Sequence, residues 1–96
     1  MGQVRENRVA MNWNDAAEDL LNNILSRTPR PVRDQTETAI RQLSHAIAEE
    51  EGKNRVGMET VLAAWVRNTP DSVRDDLPRQ MQQFGLDPDE YQWLLE

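Results

Sequence analysis

Prolines at positions 29, 31, 70, 78 and 88 and glycines at 52, 57 and 85 cut the chain into short segments, and few folds survive that punctuation. Each proline fixes φ, lacks a donor N–H and pushes its predecessor out of the α region, so no helix runs through Thr28-Pro29-Arg30-Pro31. Glycine supplies the left-handed residue that closes a helix. Between these marks the apolar residues recur at three- and four-residue spacing, with no strand-like alternation of useful length and no internal repeat. The pattern predicts an all-α protein: a small three-helix core followed by a C-terminal extension of short helices.

The first helix opens at Asn14 or Asp15, either of which can cap it, and carries Ala16, Ala17, Leu20, Leu21, Ile24 and Leu25 on one broad face to about Ser26. Pro31 suits the first turn of a second helix, where a missing donor costs nothing, and this helix runs to about Glu51 before Gly52. On its wheel Val32, Thr36, Ala39, Ile40, Leu43, Ala46 and Ile47 fall within an arc of about 120°, the expected buried stripe. Gly57 opens a third helix with Met58, Val61, Leu62 and Trp65 on one face, ending by Asn68. After Thr69-Pro70-Asp71, the residues Val73, Leu77, Met81 and Phe84 form a stripe interrupted by Pro78, which predicts a kink or two short pieces. Asp87-Pro88-Asp89-Glu90 caps a final helix over about 88–95, with Leu86 and Tyr91 spaced as a hydrophobic staple. Three segments follow: a tail over 1–12, the core over 13–68 and an acidic extension over 69–96.

At 96 residues and 38% hydrophobic content the chain has material for one core. Its formal charge of −6 opposes nucleic-acid binding, in which cationic contacts to phosphates dominate affinity. That charge is uneven. Residues 1–33 hold five arginines against four acids, and residues 34–96 hold six basic against thirteen acidic groups. No cysteine is present and His45 is the single histidine, which removes thiolate ligation, thiol nucleophiles and histidine-pair metal motifs. No segment is long and apolar enough to span a membrane, and Met1–Ala10 lacks a secretory pattern, so a cytoplasmic location is the expectation. Neither a metal nor another cofactor is expected.

Arg27, Arg30 and Arg33 crowd the proline turn between the first two helices and are the one concentrated basic feature. Guanidinium groups suit planar pairing with carboxylate or phosphate-like groups, so the turn is a candidate contact for a partner or ligand. The competing reading is that they pair with the chain's own surplus acids. Of the three tryptophans, Trp65 and Trp13 have packing positions, and Trp93 is the one expected to stand exposed and available for contact. His45 lies about 220° from Val32 on the wheel, which predicts a solvent-facing ring in a charge ladder with Arg41 and Glu49. No nucleophile–base pair, phosphate loop or pair of convergent carboxylates is legible, which argues against an enzyme acting alone.

Trp13, Ala17, Leu20, then Pro31-Val32-Arg33, Ala39, Ala48, Gly52, Glu59, Val61 and Ala64 stand in an order that resembles the small helical domain at the C-terminus of the B subunit of light-independent (dark-operative) protochlorophyllide reductase, which also occurs as stand-alone proteins. The likeness covers about Trp13–Arg67. It implies a non-catalytic helical accessory module associated with tetrapyrrole reduction, in contact with a protein partner or a tetrapyrrole-like ligand. Two departures are plain: Pro31 stands where an aromatic often precedes the Val-Arg pair, and the acidic segment after Pro70 has no counterpart. An alternative keeps the fold and drops the pigment: an acidic interaction adaptor whose tail docks a basic partner.

Overall fold

The computed structural model describes residues 12–95. Its elements are β1 (Asn12–Trp13), α1 (Asp15–Ser26), α2 (Arg30–Glu50), β2 (Arg55–Val56), α3 (Met58–Asn68), a 3₁₀ turn over Asp71–Asp76, α4 (Leu77–Gln83), a second 3₁₀ turn over Pro88–Tyr91 and α5 (Gln92–Leu95). The described residues are all-α apart from a two-residue parallel pairing in which Asn12 faces Arg55 and Trp13 faces Val56. The tail expected over residues 1–12 lies outside the described residues except for Asn12, whose N–H donates to the Asn54 carbonyl at 3.3 Å.

Local chemistry sets most boundaries. Asn14, extended at φ −79° and ψ 169°, accepts from the Ala17 N–H at 2.8 Å and so satisfies one of the free donors at the start of α1. Gly52, at φ +74°, ends α2 in a Schellman arrangement: Lys53 donates to the Ala48 carbonyl at 2.8 Å and Gly52 to that of Glu49 at 3.0 Å. Gly85, at φ +83°, repeats this after α4, with Leu86 donating to Met81 at 2.9 Å. Pro78 is accommodated by division. The segment after Pro70 is a 3₁₀ turn followed by α4, and Pro78 falls in the first turn of α4, where its missing donor breaks no ladder. Asp87 accepts from the Asp89 N–H at 3.0 Å at the last start.

The core is continuous from α1 to α5. Leu21 of α1, Ile40 of α2, Leu62 of α3, and Leu77 and Met81 of α4 are all essentially fully buried, and Tyr91 joins them. α3 packs against both α1 and α2, and α5 also touches it.

Two expectations for α2 are overturned. Its buried residues are Ile40, Ser44, Ile47 and Ala48, while Val32 is 42% exposed and Ala46 is exposed. The inward face is thus turned about a quarter of a revolution from the stripe drawn through Val32, Ala39 and Ala46. Alanine and valine lose little on an exposed helix face, and the small Ser44 allows close approach of neighbouring elements, so burial follows the fit of α2 on α3 more than the count of apolar letters. The same rotation brings His45 inward. It is half-buried, not solvent-facing, and its Nε2 accepts the indole N–H of Trp13 at 3.0 Å.

Candidate partner-docking site

The turn joining α1 to α2 forms because Pro29 and Pro31 forbid a continuous helix, and its arginines serve different ends. Arg33 is half-buried: its Nη2 donates to the Thr28 carbonyl at 3.1 Å, and its Nε is enclosed with no hydrogen-bond partner among the described residues. It closes the turn by placing a cation beside carbonyls at the end of α1, where the helix dipole favours one. Thr28 adds a hydroxyl donated to the Ile24 carbonyl at 2.8 Å. Arg27 is exposed, but its guanidinium carbon lies 5.2 Å from the centroid of the Phe84 ring, so the residue after α4 supplies a platform for the cation at the end of α1. Arg30 is exposed at the first position of α2, which has no side-chain cap and no acid in its first turn.

Elsewhere on the surface every described cation but Arg55 reaches a carboxylate. Arg41 contacts Glu37 at 3.0 Å and Glu18 at 3.3 Å, Lys53 contacts Glu51 at 3.3 Å, and Arg74 contacts Asp71 at 3.6 Å. Arg67 reaches Glu50 at 3.9 Å, and Arg79 pairs with Asp76. Among the described residues none of Arg27, Arg30 and Arg33 has an ion pair, although the chain carries a surplus of acids. A guanidinium over a ring keeps its in-plane N–H groups free, so Arg27, together with the exposed Arg30, can grip a planar carboxylate or a phosphate-like oxyanion.

Trp93 lies elsewhere. It is 61% exposed on α5, its indole donates to the Glu90 carbonyl at 3.2 Å, and it lines a cleft of about 430 Å³ shared with Ile47, Val66, Lys53, Arg67 and Arg74. None of the three turn arginines lines that cleft. Its cations already face Glu50, Glu51 and Asp71, and Glu59 adds a further carboxylate to the wall, so it has little net pull on an ion. Beside it, burial, with help from Glu59 and Glu90, pushes the Tyr91 phenol above its ordinary range. At the start of α4, Gln80 donates to Asp76 at 2.7 Å and, with Arg79 alongside, holds that carboxyl below its ordinary range.

Sequence reasoning missed Phe84 as the support of Arg27, and the cluster in which Trp13 meets both Arg41 and His45. No local signal marks either, since both join residues far apart in the chain. Among the described residues no group of three metal-ligating side chains converges, and no helix is long and apolar enough to cross a membrane. Comparison with protein-family models, with curated proteins and with solved structures finds no match to the chain.

Proposed function

We propose that the chain is a non-catalytic helical binding module that docks an acidic segment of a protein partner on the Arg27–Arg33 turn. The observation that carries this reading is that three cations close together in one turn lack ion-pair partners among the described residues, as elsewhere only the solitary Arg55 does. Arg41, Lys53, Arg67, Arg74 and Arg79 each reach a carboxylate, while the three arginines of this turn reach none among the described residues. Arg33 braces the turn, Arg27 is oriented by Phe84, and Arg30 projects from the start of α2, so the cations are partly arranged before a partner arrives. The likeness to the protochlorophyllide reductase domain names a second occupant of the same chemistry, a tetrapyrrole-like ligand presenting a carboxylate. The adaptor reading rests on other residues: Asp71, with its side chain 99% exposed, and the exposed acids Asp75, Asp87, Asp89 and Glu90 would face a basic partner.

Amide-shift mapping separates these readings. An Asp/Glu-rich peptide should perturb residues 27–33 and the Phe84 ring, and combining Arg27→Ala with Arg30→Ala should abolish the effect. A chlorophyll precursor added to the same protein should perturb the same residues if the ligand is a pigment. Shifts confined to residues 71–90 on adding a Lys-rich peptide would favour the adaptor. Silence at residues 27–33 with both acidic probes at tens of micromolar would remove the turn as a docking site.

A further inference from the structure

Away from the arginine turn, one side chain of β1 is held between two residues one helical turn apart on α2. Trp13 donates its indole N–H to Nε2 of His45 at 3.0 Å, with the rings edge to face at a centroid separation of 5.9 Å. The guanidinium of Arg41 lies 4.7 Å from the centroid of the same indole. Arg41 is itself fixed by Glu37 at 3.0 Å and by Glu18 of α1 at 3.3 Å. Around the indole, the backbone of residues 12–14 is tied to β2 by Asn12 to Asn54 at 3.3 Å and Asn14 to Val56 at 3.2 Å. The β1 segment therefore depends on a side chain whose hydrogen bond requires an unprotonated ring nitrogen.

We propose that His45 is a pH-operated latch on the Asn12–Trp13 strand: the neutral ring holds Trp13 against α2, and the imidazolium releases it. Protonation converts Nε2 from acceptor to donor, so two N–H groups would face each other at the distance of a hydrogen bond and must separate. The surrounding charges do not restore the contact. Arg41 and Glu49 flank His45 one turn to either side on α2, Glu18 of α1 and Glu37 are engaged with Arg41, and the charged residue of β2, Arg55, is exposed and pairs with Asn12. A new positive charge thus meets Arg41 on one side and, on the other, Glu49, which has no ion pair among the described residues. Because Asn14 caps α1, loosening β1 reaches the first turn of that helix, which couples the protonation of one imidazole to the order of residues 12–17.

The test follows the Trp13 indole N–H resonance, assigned by its loss in Trp13→Phe, from pH 8 to pH 5.5, where ordinary carboxylates stay ionised. In the wild-type protein this resonance and the ring protons of His45 should titrate with one shared midpoint. At pH 5.5 the Asn12 and Asn14 amides should exchange about fivefold faster than in His45→Gln, whose side-chain oxygen can still accept from the indole and does not titrate. The indole resonance of His45→Gln should stay flat. A flat wild-type indole resonance while the His45 ring titrates would overturn the latch. So would an indole midpoint that persists unchanged in His45→Gln, and the wild-type titration alone decides the matter if that variant does not fold.

Discussion

The Arg27 guanidinium lies 5.2 Å from the centroid of the Phe84 ring, and that ring lies 5.5 Å from the ring of Trp65 in the core. A charge at the end of α1 is thereby positioned by the residue that follows α4. The C-terminal extension is, through this contact, part of the same surface as the arginine turn.

Replacing that platform should loosen Arg27 without dismantling the fold. Phe84→Leu keeps apolar bulk against Trp65 but removes the ring face, costing about 0.5–1 kcal/mol from the lost cation–π contact at an exposed site. Side-chain relaxation of the Arg27 guanidinium should report increased motion, and thermal unfolding should show a modest fall in Tm.

Met81 is fully buried in the cluster it shares with Leu21, Ile40 and Leu62. Met81→Ala should therefore cost about 2–5 kcal/mol, as large-to-small core substitutions do. Urea unfolding followed by tryptophan fluorescence and by helical circular dichroism should give coincident transitions, both moved to lower denaturant. Loss of the extension alone, with the Trp65 signal unmoved, would show that the two parts unfold separately.

Ser44 is fully buried on α2, and its hydroxyl has no hydrogen-bond partner among the described residues. Ser44→Ala removes an uncompensated polar atom and improves helix propensity, so it should stabilise the protein by about 1 kcal/mol. For a domain of this size that corresponds to a rise in Tm of about 4–8 °C by calorimetry.

Tyr91 makes stability fall at alkaline pH. Burial and the nearby Glu59 and Glu90 raise its phenol in the folded state, so the folded protein holds the proton after the unfolded chain has lost it. The contribution is complete below the unfolded phenol's range, near pH 10, and is lost as pH climbs from there through the raised folded value. Denaturant midpoints measured from pH 8 to pH 11 should fall more steeply for the wild-type protein than for Tyr91→Phe.

The helices were legible because their ends are written locally. Asn14, Pro31, Gly52, Gly57, Pro70, Gly85 and Asp87 each act within a turn of their own position, and Pro78 forced the division between the 3₁₀ turn and α4. What the sequence concealed depends on partners distant in the chain. The inward face of α2 could not be taken from Val32, Ala39 and Ala46, since such residues sit at the surface at little cost, whereas Ser44 is buried by its close fit. The pairing of Asn12–Trp13 with Arg55–Val56 is too short to leave a periodic signal. Arg27, Arg30 and Arg33 were legible as a cluster, but their lack of carboxylate partners among the described residues could be read only from the folded chain.

Fluorescence anisotropy of a labelled Asp/Glu-rich peptide, titrated with wild-type protein and with a variant combining Arg27→Glu and Arg30→Glu, bears most directly on docking at this turn. The chain's own charge of −6 repels such a peptide, so binding must come from a local cationic site. The wild-type protein should bind and lose affinity as salt rises toward about 0.15 M, where the screening length is about 8 Å, and the variant should bind at least about tenfold more weakly. Equal affinity for the two proteins, or no wild-type binding at low salt, would contradict docking at the Arg27–Arg33 turn.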